Sequence, residues 1–312
     1  MEPLAPGMRR TGKVMRRMPG ASIAKATDAQ IEQSSGASAP ELISSILQGK
    51  KPKGVVTEDR EVDGIPIRVY RVGGGAATGV PLIVYFHGGG FVYGDLRGGD
   101  WMCGTVAKNL GAVVVSVDYR LAPKHPFPAG VDDCYAMLVW AAENAVSLGA
   151  DADKLGVMGE SAGGNLAAVV ALMARDRKGP VIRHQALLYP VVGAGDTESR
   201  RANADAFILT LADMQKFGEL YGGDDSDWRV SPLRAESLKG LPPTLIEVAG
   251  HDPLHDDGVL YAEALKKVGV QVDIIDYPTM PHGFLNFPRF AKEAKPGIAA
   301  VVASQRAAFL QT

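Results

Sequence analysis

Short apolar runs alternate with longer amphipathic stretches along most of this chain. The runs are rich in β-branched residues and bounded by glycine, proline or aspartate, and they span residues 65–72, 81–86, 112–118, 186–189, 244–249 and 273–277. Helical spacing of apolar residues recurs between them, over 101–110, 131–146, 165–174, 256–268 and 298–310. Because continuous apolarity is typical of strands buried on both faces, this alternation predicts an α/β fold with a mostly parallel sheet and helices on both faces.

Two segments depart from this alternation. Residues 1–50 show helical spacing over 28–32 and 39–47, and we predict that they form N-terminal cap helices. Residues 194–240 lie between two predicted strands, are too long for a simple crossover and contain an amphipathic helix over 211–221. A long insertion with its own helix is usually a lid over a functional site, so we expect a cap there.

Composition narrows the classes of partner. The chain has 312 residues, of which 46% are hydrophobic, and a formal net charge of −2. The length fits one main domain, placed at 51–312, that carries 194–240 as a cap insertion. A net charge near zero gives no indication of binding to nucleic acid or to an anionic membrane, and no apolar run is long enough for stable membrane insertion.

The N-terminus and the cysteines suggest neither secretion nor a metal site. The first seventeen residues include five basic ones but no apolar core of a signal peptide, so we expect a solvated arm and a cytoplasmic protein. A transit peptide, which is also basic and poor in acidic residues, is the alternative. Cys103 and Cys134 are the two cysteines, and they have no ligand-like spacing. Neither a disulfide framework nor a bound metal is therefore expected.

The sequence Gly-Glu-Ser-Ala-Gly at residues 159–163 is the strongest chemical signal. It follows an apolar run and precedes a helical stretch, which is the strand–turn–helix context in which this motif presents a nucleophilic serine. Side chains at Gly159 and Gly163 would collide across so tight a turn, and the next helix directs N–H groups toward a developing oxyanion. An ordinary turn before a core helix would use the same residues, so the assignment of Ser161 depends on its partners.

A serine nucleophile needs a base and an acid, which in α/β-hydrolases follow it in the order acid, then histidine. The candidate bases are His87, His125, His184, His251, His255 and His282. Only His282 follows the last predicted strand, where a loop can bring it over Ser161. Asp252 ends the preceding strand and is predicted to orient the imidazole, whereas Asp256 and Asp257 begin the next helix and are expected to cap it.

Three glycines follow His87 directly after the predicted strand 81–86. They allow the backbone to approach a substrate closely and to direct N–H groups at it. An H-G-G-G loop of this kind forms an oxyanion hole in esterases, together with the N–H of the residue after the nucleophile. We therefore predict Gly88, Gly89 and Ala162 as donors. A phosphate-binding turn is the alternative, but the spacing and lysine of a P-loop are absent.

These motifs together resemble the hormone-sensitive-lipase family of α/β-hydrolases, also called the bacterial type IV esterases. The matching stretches are His87–Phe91, Asp118–Pro123 with His125–Pro128, Gly159–Gly164, Asp252–Leu254 with Asp256, and His282–Phe284. The resemblance implies an eight-stranded, mostly parallel sheet, a helical cap formed by 1–50 and 194–240, hydrolysis of short-acyl esters and the homodimers that are frequent in the family. Glu160 is a departure, because the family usually has Asp or Thr there. It lies outside the triad, and its hydrogen-bond network is expected to differ.

The resulting hypothesis is a serine carboxylesterase that acts on small-molecule esters through an acyl-enzyme, without metal or cofactor. Aromatic and aliphatic residues near the motifs are candidates for the substrate pocket: Phe91, Tyr93, Tyr189, Phe207, Leu209, Phe284 and Leu285. A transacylase or amidase would use the same triad. A non-catalytic ligand receptor on the same fold is a third hypothesis, and His282 argues against it because the receptors of this kind lack that histidine.

Overall fold

An eight-stranded sheet forms the centre of the computed structural model, which describes residues 2–15, 22–34, 48–74 and 78–310. The strands are β1 (Val55–Val62), β2 (Ile65–Val72), β3 (Val80–Phe86), β4 (Val113–Val117), β5 (Ala150–Glu160), β6 (His184–Leu188), β7 (Thr244–His251) and β8 (Val272–Pro281). Their order is β1-β2-β4-β3-β5-β6-β7-β8. β2 pairs antiparallel with β1 and β4, and all other pairs are parallel. The predicted fold class is confirmed.

Helices cover both faces of this sheet. Within the described residues they are α1 (Pro6–Met15), α2 (Asp28–Ser34), α3 (Asp100–Leu110), α4 (Ala129–Glu143), α5 (Ala145–Leu148), α6 (Ala162–Asp176), α7 (Glu198–Ala202), α8 (Leu211–Tyr221), α9 (His255–Lys267) and α10 (Ala294–Phe309). Short 3₁₀ turns span Ile23–Lys25, Pro232–Arg234 and Phe284–Asn286. The helix predicted over 39–47 lies outside the described residues. No described helix is long and apolar enough to cross a membrane.

The two faces of the sheet have separate apolar cores. On β3, Leu82 and Val84 join the core beneath α4, α6 and α9, whereas Ile83 and Tyr85 join the core beneath α3 and α10. All four side chains are fully buried, as expected where side chains alternate between two covered faces. Both cysteines are buried and free, one in α3 and one in α4.

Of the two strands of the hairpin β1–β2, the sequence pattern predicts only β2. β1 is an edge strand whose residues are mostly polar and partly exposed, so it lacks the apolar run that marks the other strands. The signal that identifies it is the two-residue turn, since Asp63 and Gly64 both have positive φ (49° and 78°). Asp-Gly favours this type of hairpin turn.

The insertion and the N-terminal segment meet above the sheet. Ile23 and Ile31 of the N-terminal segment and Tyr221 of α8 are buried in a third, small apolar cluster. α1 is not part of this cluster. Ala5 and Met8 pack into the core beneath α10, and the N–H of Ala5 donates to the carbonyl oxygen of Thr279 in β8. The cap boundaries 1–50 and 194–240 stay a prediction.

Candidate active site

The turn between β5 and α6 holds Ser161 in a strained conformation, with φ 54° and ψ −118°. A Cβ at Gly159 would lie 2.0 Å from the carbonyl oxygen of Gly163, and a Cβ at Gly163 would lie 2.0 Å from that of Phe86. Neither position therefore tolerates a side chain. Strain of this kind persists where the surroundings fix it, and here it points the serine hydroxyl away from the sheet.

A continuous hydrogen-bonded chain joins the three residues predicted as a triad. His282 Nε2 lies 2.9 Å from Ser161 Oγ, and His282 Nδ1 lies 2.7 Å from Asp252 Oδ2. The other carboxylate oxygen of Asp252 accepts the N–H of Leu254 at 2.8 Å, and Asp252 is fully buried. The carboxylate thus fixes the Nδ1–H tautomer, which leaves Nε2 free to accept the serine proton.

Asp256 and Asp257 do not cap α9 as predicted, since the residue before the helix is Leu254 and no side chain caps the helix. Both carboxylates instead contact α7, which lies in the segment 194–240. Asp256 accepts the N–H of Ser199 at 2.9 Å. Asp257 is fully buried and pairs with Arg200 at 2.9 Å. The first turn of α9 is therefore an anchor for the insertion.

Histidines other than His282 lie in different surroundings. Of the six histidines, only His282 hydrogen-bonds Ser161 within the described structure. His87 is buried and stacks on Tyr119 with ring centroids 4.3 Å apart. Burial lowers the pKa of His184 to about 3, so this ring is neutral at physiological pH. These environments are typical of structural histidines.

The glycine loop after β3 presents a different pair of donors from the pair predicted. The N–H of Gly88 points to Glu160 Oε1 at 3.4 Å. Gly89 and Gly90 both have positive φ (121° and 61°), and within the described structure their N–H groups have no protein acceptor. Gly90 therefore replaces Gly88 as a candidate oxyanion donor, beside Gly89 and Ala162. Ala162 is the first residue of α6, so its N–H has no partner within the helix.

A cavity of about 1050 Å³ lies over the serine. Its floor contains Ser161, His282 and the glycine loop. Its apolar walls include Phe91, Tyr93, Ile208, Leu209, Leu211, Met214, Phe217 and Phe287. Three predicted wall residues, Phe91, Tyr93 and Leu209, are thus part of the lining. Met214 and Phe217 also line the cavity. They lie on the apolar face of the amphipathic helix predicted over 211–221, which is the face expected to cover a small pocket.

The other four predicted wall residues lie outside the lining. Tyr189, Phe284 and Leu285 are fully buried in the core beneath α10. Phe207 packs against the N-terminal segment, where its ring fills the space beside Gly12. Asn286 lines the cavity instead. The 3₁₀ turn after His282 decides which of its side chains faces the cavity, and the apolar pattern alone does not reveal this.

Charged side chains stand at the outer part of the cavity. Glu219, Asp224, Asp225 and Arg234 are exposed residues of its lining. Among the described residues there is no group of three or more His, Cys, Asp or Glu side chains that could hold a metal ion. Serine, histidine and aspartate, which meet at this site, are residue types that covalent acyl transfer uses.

Comparisons with known proteins agree with this chemistry. A family model described as alpha/beta hydrolase fold matches residues 83–286. The carboxylesterase NlhH of Mycobacterium tuberculosis is 42% identical over 250 residues, which are 77% of this chain and 74% of that protein. An ethyl acetate hydrolase of Pseudomonas putida is 34% identical over 273 residues, which are 83% of this chain and 85% of that protein.

The fold is also similar to that of solved esterase structures. An esterase of Pyrobaculum calidifontis superposes with a TM-score of 0.85 at 38% identity, and the alignment covers 98% of this chain and 99% of that one. Each of these similar proteins carries the name of an esterase or an ester hydrolase.

Proposed function

This chain belongs to the α/β-hydrolase family and is a carboxylesterase, and from this premise we propose that it hydrolyses short-chain acyl esters through Ser161, Asp252 and His282. The observation that carries the proposal is the hydrogen-bonded chain from Asp252 through His282 to Ser161, on the floor of a cavity with apolar walls. The nearby N–H groups of the glycine loop supply what an oxyanion needs.

The proposed reaction has two halves. His282 Nε2 takes the proton of Ser161 as Oγ attacks the ester carbonyl, and the buried Asp252 stabilises the imidazolium that forms. Gly89, Gly90 and Ala162 donate N–H groups to the tetrahedral oxyanion. His282 then gives its proton to the departing alkoxide, which leaves the acyl group on Ser161. Water attacks this acyl-enzyme by the same steps, so the acid is released and the serine is restored.

Aromatic and aliphatic walls of limited extent support short acyl chains. Each methylene of a substrate gains up to ~0.8 kcal/mol while it is buried against apolar wall, and the gain ends where the wall ends. Beyond the apolar walls the cavity carries exposed charged residues, Glu219 and Asp224 among them, which are unfavourable neighbours for a long alkyl chain. The name of the ethyl acetate hydrolase among the similar proteins also supports short chains.

The proposal extends to assembly and location. Family resemblance supports a homodimer, and composition supports a cytoplasmic protein that binds neither nucleic acid nor membranes stably. Light scattering of the purified chain and fractionation of the source cells test these two statements. A non-catalytic receptor would not need the Ser161–His282 hydrogen bond, which argues against that alternative. A transacylase or amidase is distinguished by product analysis with added alcohol, or with amide substrates.

A chain-length series tests the substrate class. We expect kcat/KM on p-nitrophenyl esters to peak near C4 to C6 and to fall steeply by about C10, because a longer chain leaves the apolar wall. The series is measured below and above the solubility limit of each ester. A maximum at C12 or longer, or a jump in rate when the substrate forms an emulsion, would contradict the proposal and indicate a lipase.

A further inference from the structure

Glu160 lies at the centre of a buried hydrogen-bond cluster that the triad mechanism does not use. The residue is only 5% exposed. Its Oε1 accepts from the hydroxyl of Tyr85 at 3.1 Å and from the N–H of Gly88 at 3.4 Å, and its Oε2 accepts from the hydroxyl of Tyr189 at 2.9 Å and from the side-chain amide of Asn286. Four donors around one carboxylate compensate a charge that burial would otherwise penalise.

These donors belong to separate segments around the serine. Gly88 begins the glycine loop that presents the candidate oxyanion donors. Asn286 ends the 3₁₀ turn that closely follows His282. Tyr189 follows β6, and its ring meets the ring of His282 edge-on, with centroids 5.0 Å apart. Glu160 therefore connects the oxyanion loop with the loop that carries the base.

Each of the two connected loops has hydrogen bonds of its own, such as that from the N–H of Tyr93 to the carbonyl oxygen of Gly89 and that from the N–H of Asn286 to the carbonyl oxygen of Gly283. These bonds do not join one loop to the other. Gly89 and Gly90 both lie at positive φ, and a run of glycines has access to many backbone conformations. Because a displacement of ~1 Å in a reacting group can reduce the rate ~100-fold, the relative position of the two loops matters for catalysis. The bond from Gly88 to Glu160 fixes the first peptide of the loop, so that the next two N–H groups stay open toward the cavity.

We propose that Glu160 is a positioning residue that sets the distance between the oxyanion donors and the base, acting through Gly88 on one side and Asn286 on the other. It does not touch the reacting atoms. The inference rests on the proposed triad. It adds a second requirement, namely that Glu160 joins the two loops by hydrogen bonds. Substitution of Glu160 should therefore reduce kcat much more than it changes KM.

The test compares Glu160→Gln with Tyr85→Phe on p-nitrophenyl butyrate. The glutamine keeps the shape but turns an amide NH₂ toward groups that are themselves donors, so we expect kcat to fall ~10- to 100-fold and KM to stay within about threefold. Tyr85→Phe removes one donor to the same carboxylate, and this donor belongs to strand β3 rather than to either loop. It should change kcat less than about threefold.

An exchange of donor and acceptor gives the second measurement. Asn286→Asp places two carboxylates in contact and should lose activity, whereas E160Q combined with N286D restores the hydrogen bond in reverse and should recover at least about a third of the wild-type kcat. Equal kcat losses in E160Q and Tyr85→Phe, or a double variant no better than N286D, would overturn the proposal. If E160Q does not fold, Asn286→Leu carries the test, and an unchanged kcat there overturns it.

The control Ser161→Ala separates this inference from the proposed function. Residual activity in Ser161→Ala close to that of the wild type would refute the triad itself. An inactive Ser161→Ala together with a fully active E160Q would refute only the positioning role.

Discussion

The central sheet is held together differently from the part of the molecule that we call the roof, namely residues 22–34 together with α8. The sheet is enclosed by two large apolar cores, and the residues at the carboxyl ends of its strands carry the candidate chemistry. The roof has only a small apolar cluster and depends on polar contacts between the N-terminal segment and α8. Rigid placement of reacting groups needs a continuous core, whereas a roof that admits substrate does not.

One buried carboxylate in each region shows this difference. Glu247 lies in β7, fully buried, with the hydroxyl of Tyr277 at 3.5 Å as its partner and Oε2 without one within the described structure. Asp213 in α8 accepts side-chain bonds from Ser22 and Thr210, both at 2.6 Å. Apolar packing surrounds Glu247 despite its poor partners, while Asp213 hydrogen-bonds the N-terminal segment to α8.

Removal of the nucleophile should have the largest effect, because it acts on the rigid region and removes the covalent step. We expect Ser161→Ala to lower kcat by about four to six orders of magnitude. Asp252→Asn should lose about four orders, since the imidazole is then held in the wrong tautomer. The measurement is kcat on p-nitrophenyl butyrate.

Asp256→Asn is the matched control for the acid, since Asp256 contacts the cap insertion through Ser199 and does not contact His282. It should lose less than about tenfold, which corresponds to one hydrogen bond. A larger loss in Asp256→Asn than in Asp252→Asn would show that the acid is wrongly assigned.

Substitution of a glycine in the oxyanion loop should cause the next largest loss of kcat, and two neighbouring glycines allow a matched comparison. A Cβ at Gly89 would lie 2.1 Å from the carbonyl oxygen of Tyr93, in a residue with φ 121°, so Gly89→Ala must reshape the loop. We expect its kcat to fall ~10²- to 10³-fold, as for loss of an oxyanion donor. At Gly88 the φ is ordinary, and the nearest atom, the carbonyl oxygen of Glu160, lies 3.1 Å away.

Gly88→Ala should therefore lose far less activity than Gly89→Ala. Binding of an unreactive ester analogue, measured by competitive inhibition, should change little in both variants. The reason is that the N–H groups of the loop bind the oxyanion of the transition state more strongly than the carbonyl oxygen of a bound ester. A larger kcat loss in Gly88→Ala than in Gly89→Ala would contradict the assignment of Gly89 as an oxyanion donor.

Sequence patterns predicted the residues whose position follows from a strand end. Ser161, Asp252 and His282 each follow a strand of one parallel sheet, and such ends converge at one edge. Contacts between loops were not predictable in this way. Gly88 was predicted as a donor because no pattern reveals that Glu160 takes its N–H. Asn286, which lines the cavity, gives no signal in the sequence that distinguishes it from a surface asparagine.

The buried carboxylate of the sheet should make stability depend on pH. Burial raises the pKa of Glu247 to about 8, well above the ordinary glutamate value. Between pH 4.5 and 8 the folded state therefore keeps a proton that the unfolded state has lost, and stability falls as pH rises through this window. Glu247→Gln removes this cost and should raise the free energy of unfolding by about 2–5 kcal/mol at pH 8, and little at pH 4.5.

Urea denaturation of wild type and Glu247→Gln at several pH values measures this difference. Glu61→Gln is the matched control, because Glu61 is exposed in the edge strand β1. Its stability should differ from that of the wild type by less than about 0.5 kcal/mol at every pH. A constant difference between Glu247→Gln and wild type across the range would mean that Glu247 is not protonated in the folded state.

Substitution of Asp213 should have the smallest effect on kcat and should instead change KM. Burial raises the pKa of Asp213, but the hydrogen bonds from Ser22, Thr210 and the N–H of Ala24 outweigh it, and the net pKa is lowered. Its contribution to stability is therefore present at neutral pH and is lost as pH falls through the acidic range. Asp213→Asn turns a donor toward these donors and should separate the N-terminal segment from α8.

We expect Asp213→Asn to raise KM for p-nitrophenyl butyrate about three- to tenfold, because α8 carries part of the apolar wall, while kcat stays within about twofold. Asp28→Asn is the matched control. Asp28 joins the same two segments through an exposed contact with Lys216 at 3.7 Å, and such pairs contribute about 0–1 kcal/mol, so KM should not change. Equal effects of the two substitutions, or a kcat loss in Asp213→Asn as deep as in Gly89→Ala, would show that roof and sheet do not act separately.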